Sequence, residues 1–438
     1  MQNARITAIN ALIKMENDDA YSNIVIDTAL TKSGLNRLDS AFASTLFYGV
    51  LERRITLDYA LQKYMKKPLE QTDITVLTVL RAGIYQLKFM DKVPDSAAVD
   101  ESVKCCVALK KHNAKGFVNA VLRSFIRDGK KIRPPKDELQ LLSVKYSVPE
   151  RLVKSYIADY GSECAERIMS AFLRKKALSV RVNTTKISCA DFIDMLGKNG
   201  ITAKESPICK NAVIIDNPGA VKSLCGYDEG LFHVQDVASQ LTAAALNIGG
   251  NDTVLDVCAA PGGKTFTMAQ QTSGSVVSCD LYPHKVRLIE QGASRLSLNN
   301  VKALVNDASK HNETLSSFNK ILCDLPCSGL GILCKKPEIR YKNVTFVDKL
   351  PNLQYDLLLE SAKYAAVGSV LLYSTCTLRH AENRQVANKF LQNNPDFEPL
   401  SILPNIKRGI DEPSNQLTLL PHIHGTDGFF MACFKKVR

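Results

Sequence analysis

The sequence predicts a multidomain chain with an all-α domain at the amino terminus, a small α/β connector, and a carboxyl-terminal α/β domain whose sheet has seven mostly parallel strands. The chain has 438 residues, which is too long for one ordinary core. Apolar residues recur at helical spacing up to about residue 130, and short apolar strands alternate with helical segments from about residue 231. We therefore expect domains at residues 1–130, 139–230 and 231–438.

The composition narrows the classes of protein. No run of about 18 apolar residues occurs, and the start lacks a basic stretch followed by an apolar one, so we expect no membrane span and no secretory signal. Thirteen cysteines spread over a long chain favour reduced thiols in the cytoplasm. The net charge of +12 favours a polyanionic partner such as nucleic acid. The sequence has no long heptad repeat that would indicate a coiled-coil partner, so we expect a monomer.

The first domain has a helical pattern throughout. Asp39 and Asp73 stand where helix N-caps are expected. Basic residues gather near its end, in LKKHNAKG at 109–116 and in RDGKKIRPPK at 127–136. The second of these stretches has the composition of a linker, and a solvated basic linker can also contact phosphates.

The connector is predicted to be a small α/β piece. Helical periodicity covers about 139 to 175, and the strand LSVRVNT follows at 178–184. A helix at 190–200 and a second strand at 211–216 complete the unit.

The last domain reads as a doubly wound parallel sheet, which binds its ligands at the carboxyl ends of the strands. A final apolar segment at 428–436 would add an edge strand. The other predicted strands are residues 253–257, 275–280, 302–305, 320–325 and 369–375.

The first strand of this sheet leads into the glycine turn DVCAAPGGKT at 256–265. A P-loop is disfavoured because Cys258 stands where that motif needs glycine, and the missing GxGxxG argues against a dinucleotide-dependent dehydrogenase. Asp280 ends the second strand about 17 residues after Gly263, where an acid can accept hydrogen bonds from ribose hydroxyls. Asp307 follows the third strand, where it could contact an adenine. The glycine turn together with Asp280 and Asp307 favours an adenosine-type cofactor.

An acid and two thiols follow the fourth and fifth strands. Asp324 and Cys327 end the fourth strand, and Cys376 follows the fifth. Methylation of a pyrimidine at C5 requires such groups, because a thiolate must first add to C6 to activate C5, and an acid can stabilise the adduct at N3. The spacing leaves open which cysteine is the nucleophile. Lys264 is a candidate cation for lowering the pKa of either thiol.

A zinc site is the alternative explanation of the cysteines. Alternate residues of a strand point to opposite faces and no CxxC pair occurs, so we expect no metal. The four sulfurs concerned would be those of Cys323, Cys327, Cys334 and Cys376.

Three motifs taken together, DVCAAPGGKT, CDLPCSG and STCTL, closely resemble the Sun (Fmu) family of RNA 5-methylcytosine methyltransferases. The resemblance covers nearly the whole chain, including a NusB-like RNA-binding domain in front and a Rossmann-like methyltransferase domain behind. It implies S-adenosyl-L-methionine as cofactor without a metal. It also implies a 16S rRNA substrate, either free or in an early small-subunit assembly.

The resemblance also assigns roles to residues. It implies that Cys376 is the nucleophile, that Cys327 promotes product release, and that Asp324 contacts the base. The basic turn KKPEIRY at 335–341 resembles a family segment that would contact the RNA or the target base. The implied cofactor contacts are Cys258, Ala259, Ala260, Pro261, Gly262, Gly263, Lys264, Asp280, Arg287, Asp307 and Asp324.

One alternative to an enzyme remains, a catalytically inactive RNA-binding factor for ribosome assembly. The presence of Asp324, Cys327 and Cys376 together disfavours it, because a scaffold has no need of the full catalytic set. Transfer of a labelled methyl group to RNA would distinguish the two.

Overall fold

The computed structural model describes residues 3–17, 21–174, 177–216, 219–342 and 344–438. The chain divides into two compact units. The helical unit comprises Met1–Arg174 together with Leu333–Lys342, and the sheet unit comprises Lys175–Ile332 together with Asn343–Arg438.

The helical unit confirms the predicted all-α domain. Phe47, Leu80 and Phe125 are fully buried in its core. Its helices are α1 (Ala4–Asn17), α2 (Ser22–Ser33), α3 (Arg37–Gln62), α4 (Ile74–Phe89), α5 (Asp95–Ala108), α6 (Lys115–Arg127), α7 (Glu138–Tyr146), α8 (Glu150–Tyr160) and α9 (Ser162–Ala171).

Three details of this unit bear on the sequence analysis. Asp73 caps α4 as predicted, because its carboxylate accepts from the first backbone N–H groups of that helix. The prediction for Asp39 was wrong: Asn36 is the N-cap of α3, and Asp39 lies in its first turn. Helix α7, which the sequence assigned to the connector, packs in this unit, where Thr56 Oγ1 on α3 donates to Val144 O at 2.6 Å.

The segment Leu333–Lys342 belongs to the helical unit although it lies in sequence between two parts of the sheet unit. Its Arg340 is fully buried. The guanidinium donates to the carbonyl oxygens of Glu52 at 2.7 Å and Ser147 at 2.8 Å, and to Leu333 O at 3.3 Å. Arg340 therefore holds this segment in place from a buried position. It does not make the RNA contact that the sequence analysis expected of the KKPEIRY segment.

The connector forms a four-stranded antiparallel sheet in the order β2-β3-β1-β4. Val180, Phe192 and Phe232 are fully buried between this sheet and its helix. The elements are β1 (Leu178–Val182), α10 (Cys189–Lys198), β2 (Ala203–Glu205), β3 (Ala212–Ile215) and β4 (Phe232–Val234).

The second sheet of the sheet unit confirms the predicted Rossmann-like architecture. Its remaining helices and strands are α11 (Val237–Ala245), β5 (Val254–Asp256), α12 (Gly263–Ala269), β6 (Val276–Asp280), α13 (Pro283–Leu296), β7 (Val301–Val305), β8 (Phe318–Asp324), α14 (Val344–Ala362), β9 (Ala365–Thr375), α15 (Arg384–Asn393), β10 (Phe397–Pro399), β11 (Gln416–Leu419), α16 (Pro421–His424) and β12 (Phe429–Lys436).

The order of this sheet is β10-β12-β9-β8-β5-β6-β7, with β11 paired to β12. Strands β5 to β9 run parallel to one another, whereas β12 is antiparallel to β9. The predicted count of seven was wrong, because β11 makes an eighth strand. The strand predicted at 428–436 is present as β12, but its predicted position at the edge was wrong, since β12 lies inside the sheet and its first six residues are buried.

Two general features of the described chain concern composition. All thirteen cysteines are described, and none forms a disulfide. No helix in the described ranges combines the length and apolar character that a membrane span requires.

Candidate active site

The carboxyl ends of the parallel strands bring the predicted site residues to one edge of the sheet. Asp256, Asp280 and Asp324 are the last residues of β5, β6 and β8. Cys376 follows β9 directly, and Ser374 of β9 is paired with Asp324 of β8 in the sheet register. Three acids and a thiol thus share this edge.

The turn between β5 and α12 forms the wall of a cavity of about 190 Å³. Gly262 makes this turn possible: its φ is +106°, and a Cβ there would lie 2.4 Å from the ring of Phe266. The residues of the predicted cofactor set that line the cavity are Cys258, Ala259, Ala260, Pro261, Gly263, Lys264 and Asp324.

Four other predicted cofactor residues lie outside the lining of this cavity, and one of them, Gly262, belongs to the turn described above. Asp280 accepts from the backbone N–H of Tyr282 at 3.2 Å, and Lys285 Nζ lies 3.7 Å from its carboxylate. Asp307 accepts two hydrogen bonds from Ser309, which lower the pKa of its carboxyl. Arg287 is exposed on α13. The structure thus places Asp280 at the strand edge and leaves Arg287 on the outer face of its helix.

Two buried polar atoms of the cavity wall have no hydrogen-bond partner among the described residues. They are Asp256 Oδ1 and Gln235 Nε2. Asp256 Oδ2 accepts from Thr265 at 2.8 Å, and Gln235 Oε1 accepts from Thr267 at 2.6 Å. One acceptor and one donor in the same small cavity suit a ligand that carries both kinds of group, such as an α-amino acid moiety.

The sequence analysis missed both residues as cavity residues. Asp256 carried the signal that identified Asp324, an acid where an apolar strand ends. Gln235 follows the short strand β4, and its neighbour His233 is fully buried with a pKa lowered to about 3 by that burial. The neutral imidazole therefore donates from Nε2 to Gly263 O at 3.1 Å, which fixes the glycine turn.

We expect Asp256→Asn to reduce the pH dependence of stability. Burial raises the pKa of Asp256 from 3.8 to about 7. The folded protein then holds this proton more tightly than the unfolded chain does, so the stability falls as the pH rises from about 4 to about 7 and levels off above that range. Denaturant unfolding across this range should show a fall that is smaller in the variant by up to roughly 4 kcal/mol. Identical profiles for both proteins would contradict the assignment.

Lys264 and Asp324 form a partly buried ion pair at the rim of the cavity. Lys264 Nζ lies 2.7 Å from Asp324 Oδ2, and Ser374 Oγ donates to Asp324 Oδ1 at 2.9 Å. Burial alone would lower the pKa of Lys264, but the Asp324 carboxylate outweighs it and the pKa is raised. The cation is thus paired directly with Asp324, and it also interacts electrostatically with Cys376, one of the two thiols for which the sequence analysis proposed it.

Cys327 and Cys376 are in contact, with 3.2 Å between their Sγ atoms. The hydrogen bond with Cys376, followed by burial, raises the pKa of Cys327 well above its usual range. Cys327 therefore keeps its proton at neutral pH. A thiol that donates to its neighbour stabilises that neighbour as a thiolate.

The described residues offer no metal site. No three His, Cys, Asp or Glu side chains in the described ranges are grouped so that they could hold an ion.

Comparisons with known proteins agree with this architecture. A family model described as 16S rRNA methyltransferase RsmB/F matches residues 243–435. The NusB family model matches residues 2–127, and a model described as the ferredoxin-like domain of RsmF/B-like methyltransferases matches residues 148–222. The probable ribosomal RNA small subunit methyltransferase B of Bacillus subtilis is 37% identical over 99% of this chain and 98% of its own length.

Solved structures show the same fold. The crystal structure of PH0851 superposes with a TM-score of 0.85 over 99% of this chain and 98% of that chain, at 24% identity. A methyltransferase homolog protein from Pyrococcus horikoshii has a TM-score of 0.61 and 28% identity, over 69% of this chain and 100% of that chain.

Proposed function

Because the chain belongs to the RsmB/F family of 16S rRNA methyltransferases, we propose that it methylates C5 of one cytosine in 16S rRNA through a covalent cysteine–C6 adduct. The observation that supports this chemistry most directly is the contact of Cys327 with Cys376 at the strand edge that carries Asp324. The enzyme acts as a monomer in the cytoplasm, where its thiols stay reduced.

The cavity residues hold the cofactor. S-adenosyl-L-methionine, when bound, supplies the methyl group. The glycine turn brings backbone close to the ligand, and the unpaired atoms of Asp256 and Gln235 accept from and donate to its amino acid moiety. Asp280 and Asp307, at the ends of β6 and β7, take the ribose and adenine side.

The thiols and the acid divide the work on the base. Cytosine C5 is a poor nucleophile until the Cys376 thiolate adds to C6 and moves an electron pair toward C5. The Lys264 ammonium gives a proton to the Asp324 carboxylate, which passes a proton to N3 as charge moves into the ring. After the methyl group is in place, a base takes the C5 proton and the electrons of that C–H bond restore the C5–C6 double bond. Cys376 leaves C6 with the electron pair of the S–C bond, as a thiolate that the Cys327 thiol stabilises by a hydrogen bond. The target base leaves its stack so that C6 is open to attack.

The function is tested by transfer of a labelled methyl group. The protein is mixed with labelled S-adenosyl-L-methionine and unmodified 16S rRNA, free in one reaction and in an early assembly particle in another. We expect label in 5-methylcytidine after digestion to nucleosides. Absence of transfer to either substrate would reject the proposal in favour of an inactive assembly factor.

A groove on the helical unit supports the RNA partner. It has a volume of about 580 Å³, and Phe117 of α6 is 40% exposed beside it. Tyr64, Lys66 and Lys67 line its other side. Aromatic faces flanked by cations suit unpaired bases and phosphates of a single strand.

We expect Lys66→Ala with Lys67→Ala to weaken RNA binding, because each lysine neutralises a phosphate. The slope of log affinity against log salt should fall by about 2, and KM for RNA should rise while kcat stays unchanged. Filter binding at several salt concentrations measures the slope. The matched control is Lys32→Ala with Lys88→Ala, which removes the same charge from the helical unit outside the groove. Equal losses in both doubles would reject a role for the groove.

A further inference from the structure

A buried glutamate fixes the chain on both sides of Cys327. Glu382 is fully buried. It accepts from the backbone N–H of Ser328 at 2.8 Å and from Ser328 Oγ at 2.6 Å. Gln354 Nε2 donates both to Glu382 at 3.1 Å and to Pro326 O at 3.0 Å. The residues before and after the cysteine are thereby tied to one carboxylate.

The next residue in the chain does the same for the second thiol. Asn383 is 1% exposed. Its Oδ1 accepts from Thr375 Oγ1 at 2.6 Å, and its Nδ2 donates to Thr377 O at 3.0 Å. Thr375 and Thr377 flank Cys376. Two consecutive residues therefore each hold one of the two cysteines.

Further contacts join the two loops directly. The hydroxyls of Ser328 and Thr377 lie 2.8 Å apart, and the backbone N–H of Gly331 donates to Cys376 O at 3.0 Å. A Cβ at Gly331 would lie 2.0 Å from Gly428 O, so the close approach requires glycine there. The relative position of the loops is thus fixed by hydrogen bonds on both thiol-bearing segments.

The charge of Glu382 makes this arrangement demanding. Burying a carboxylate is costly unless donors surround it. Here Ser328 supplies two donors and Gln354 one, and Arg379 Nη1 lies 3.4 Å away. A neutral apolar side chain would fill the same space without needing hydrogen-bond donors around it. We therefore attribute the carboxylate at this position to its role in holding Ser328 and Gln354 in place.

We propose that Glu382 and Asn383 are positioning residues that hold the Cys327 and Cys376 thiols in contact, so that Cys327 can act on the adduct formed by Cys376. The effect of these residues on release of the RNA adduct rests on the proposed function. Their effect on the distance between the two thiols does not depend on it, and the two effects are measured separately.

The first measurement is disulfide formation in the full-length protein. Copper(II) phenanthroline takes two electrons from the two thiols, which lose their protons and form one S–S bond, and mass spectrometry counts the product. We expect Glu382→Gln and Asn383→Ala to slow this reaction about tenfold or more, since a shift near 1 Å at a reacting pair costs on the order of 100-fold. Unchanged rates in both variants would overturn the proposal.

The control is another buried carboxylate of the sheet unit. Glu412, whose side chain is 4% exposed, accepts from Thr418 N at 2.9 Å and Thr418 Oγ1 at 2.8 Å. We expect Glu412→Gln to lose stability yet keep the wild-type rate of disulfide formation. If it slows the reaction as much as Glu382→Gln, general loosening of the fold explains the effect and the proposal fails. Glu382→Asp, which retains the charge, supplies a folded variant if glutamine does not fold.

The second measurement is the fraction of RNA left covalently bound after a single turnover. Glu382→Gln should leave more adduct than wild type, because a displaced Cys327 releases product slowly, whereas Glu412→Gln should not. Adduct at the wild-type level together with slow disulfide formation would overturn the catalytic part. If wild type forms the disulfide readily but methylates no RNA, the proposed function fails while the positioning role stands.

Discussion

Alanine in place of Cys376 is expected to abolish both methyl transfer and the covalent protein–RNA band, a loss of roughly 10⁴-fold or more. The reason is that attack on C6 requires a thiolate, and burial, which remains when Cys376 is replaced, still raises the pKa of the Cys327 thiol. The measurement is a denaturing gel after incubation with S-adenosyl-L-methionine and unmodified 16S rRNA, with methyl incorporation counted in parallel.

Cys327→Ala should give the opposite pattern in the same gel. The adduct forms through Cys376 but is released slowly, so a covalent band should accumulate. Cys225→Ala, in the connector, is the matched control and should resemble wild type. If Cys327→Ala gave no band while Cys376→Ala accumulated one, the roles of the two cysteines would be reversed.

Asparagine in place of Asp324 is expected to slow the chemical step by roughly 10²- to 10⁴-fold, the usual contribution of a general acid. The amide keeps the shape of the side chain and can still accept from Ser374, but it cannot take a proton from Lys264 and pass one to N3. It also leaves Lys264 as a buried cation without its counter-ion, so the pKa of that lysine should fall. Single-turnover rates and a thermal melt measure the two effects.

The matched control for Asp324→Asn is an exposed pair of the same kind. Lys198 and Asp194 are 2.7 Å apart on α10, as close as Lys264 and Asp324, but their side chains are 75% and 64% exposed. Asp194→Asn should therefore change neither rate nor melting temperature appreciably. A wild-type single-turnover rate in Asp324→Asn would remove Asp324 from the chemistry.

The main features of the candidate site could be predicted because strand ends are visible in a sequence. Asp280, Asp324 and Cys376 each stand where an apolar run stops, and parallel strands bring those points to one edge. The sheet and its helices could be predicted because short apolar strands alternate with helical segments from about residue 231. Cys327 follows β8 and Cys376 follows β9. Because these two strands are neighbours in the sheet, the two thiols also lie at this edge.

The residues that hold the thiols could not be predicted in this way. Glu382 and Asn383 lie in HAENR, which reads as an ordinary polar loop before a helix. Their partners are up to 54 residues away in sequence, and no periodic pattern relates them. The eighth strand escaped notice for a related reason, because β11 has only four residues and is defined by pairing with β12.

The segment Leu333–Lys342 has a consequence for the order in which the chain matures during synthesis. The helices of the helical unit leave the ribosome early. The carbonyl oxygens of Glu52 and Ser147 receive their hydrogen bonds from Arg340 only after residue 340 has been translated. All of β5 to β8 is translated in the interval, so the helical unit is completed only after the glycine turn and Asp324 exist. A nascent chain that stops before this point therefore carries an unfinished helical unit, which couples the maturation of the two units in time.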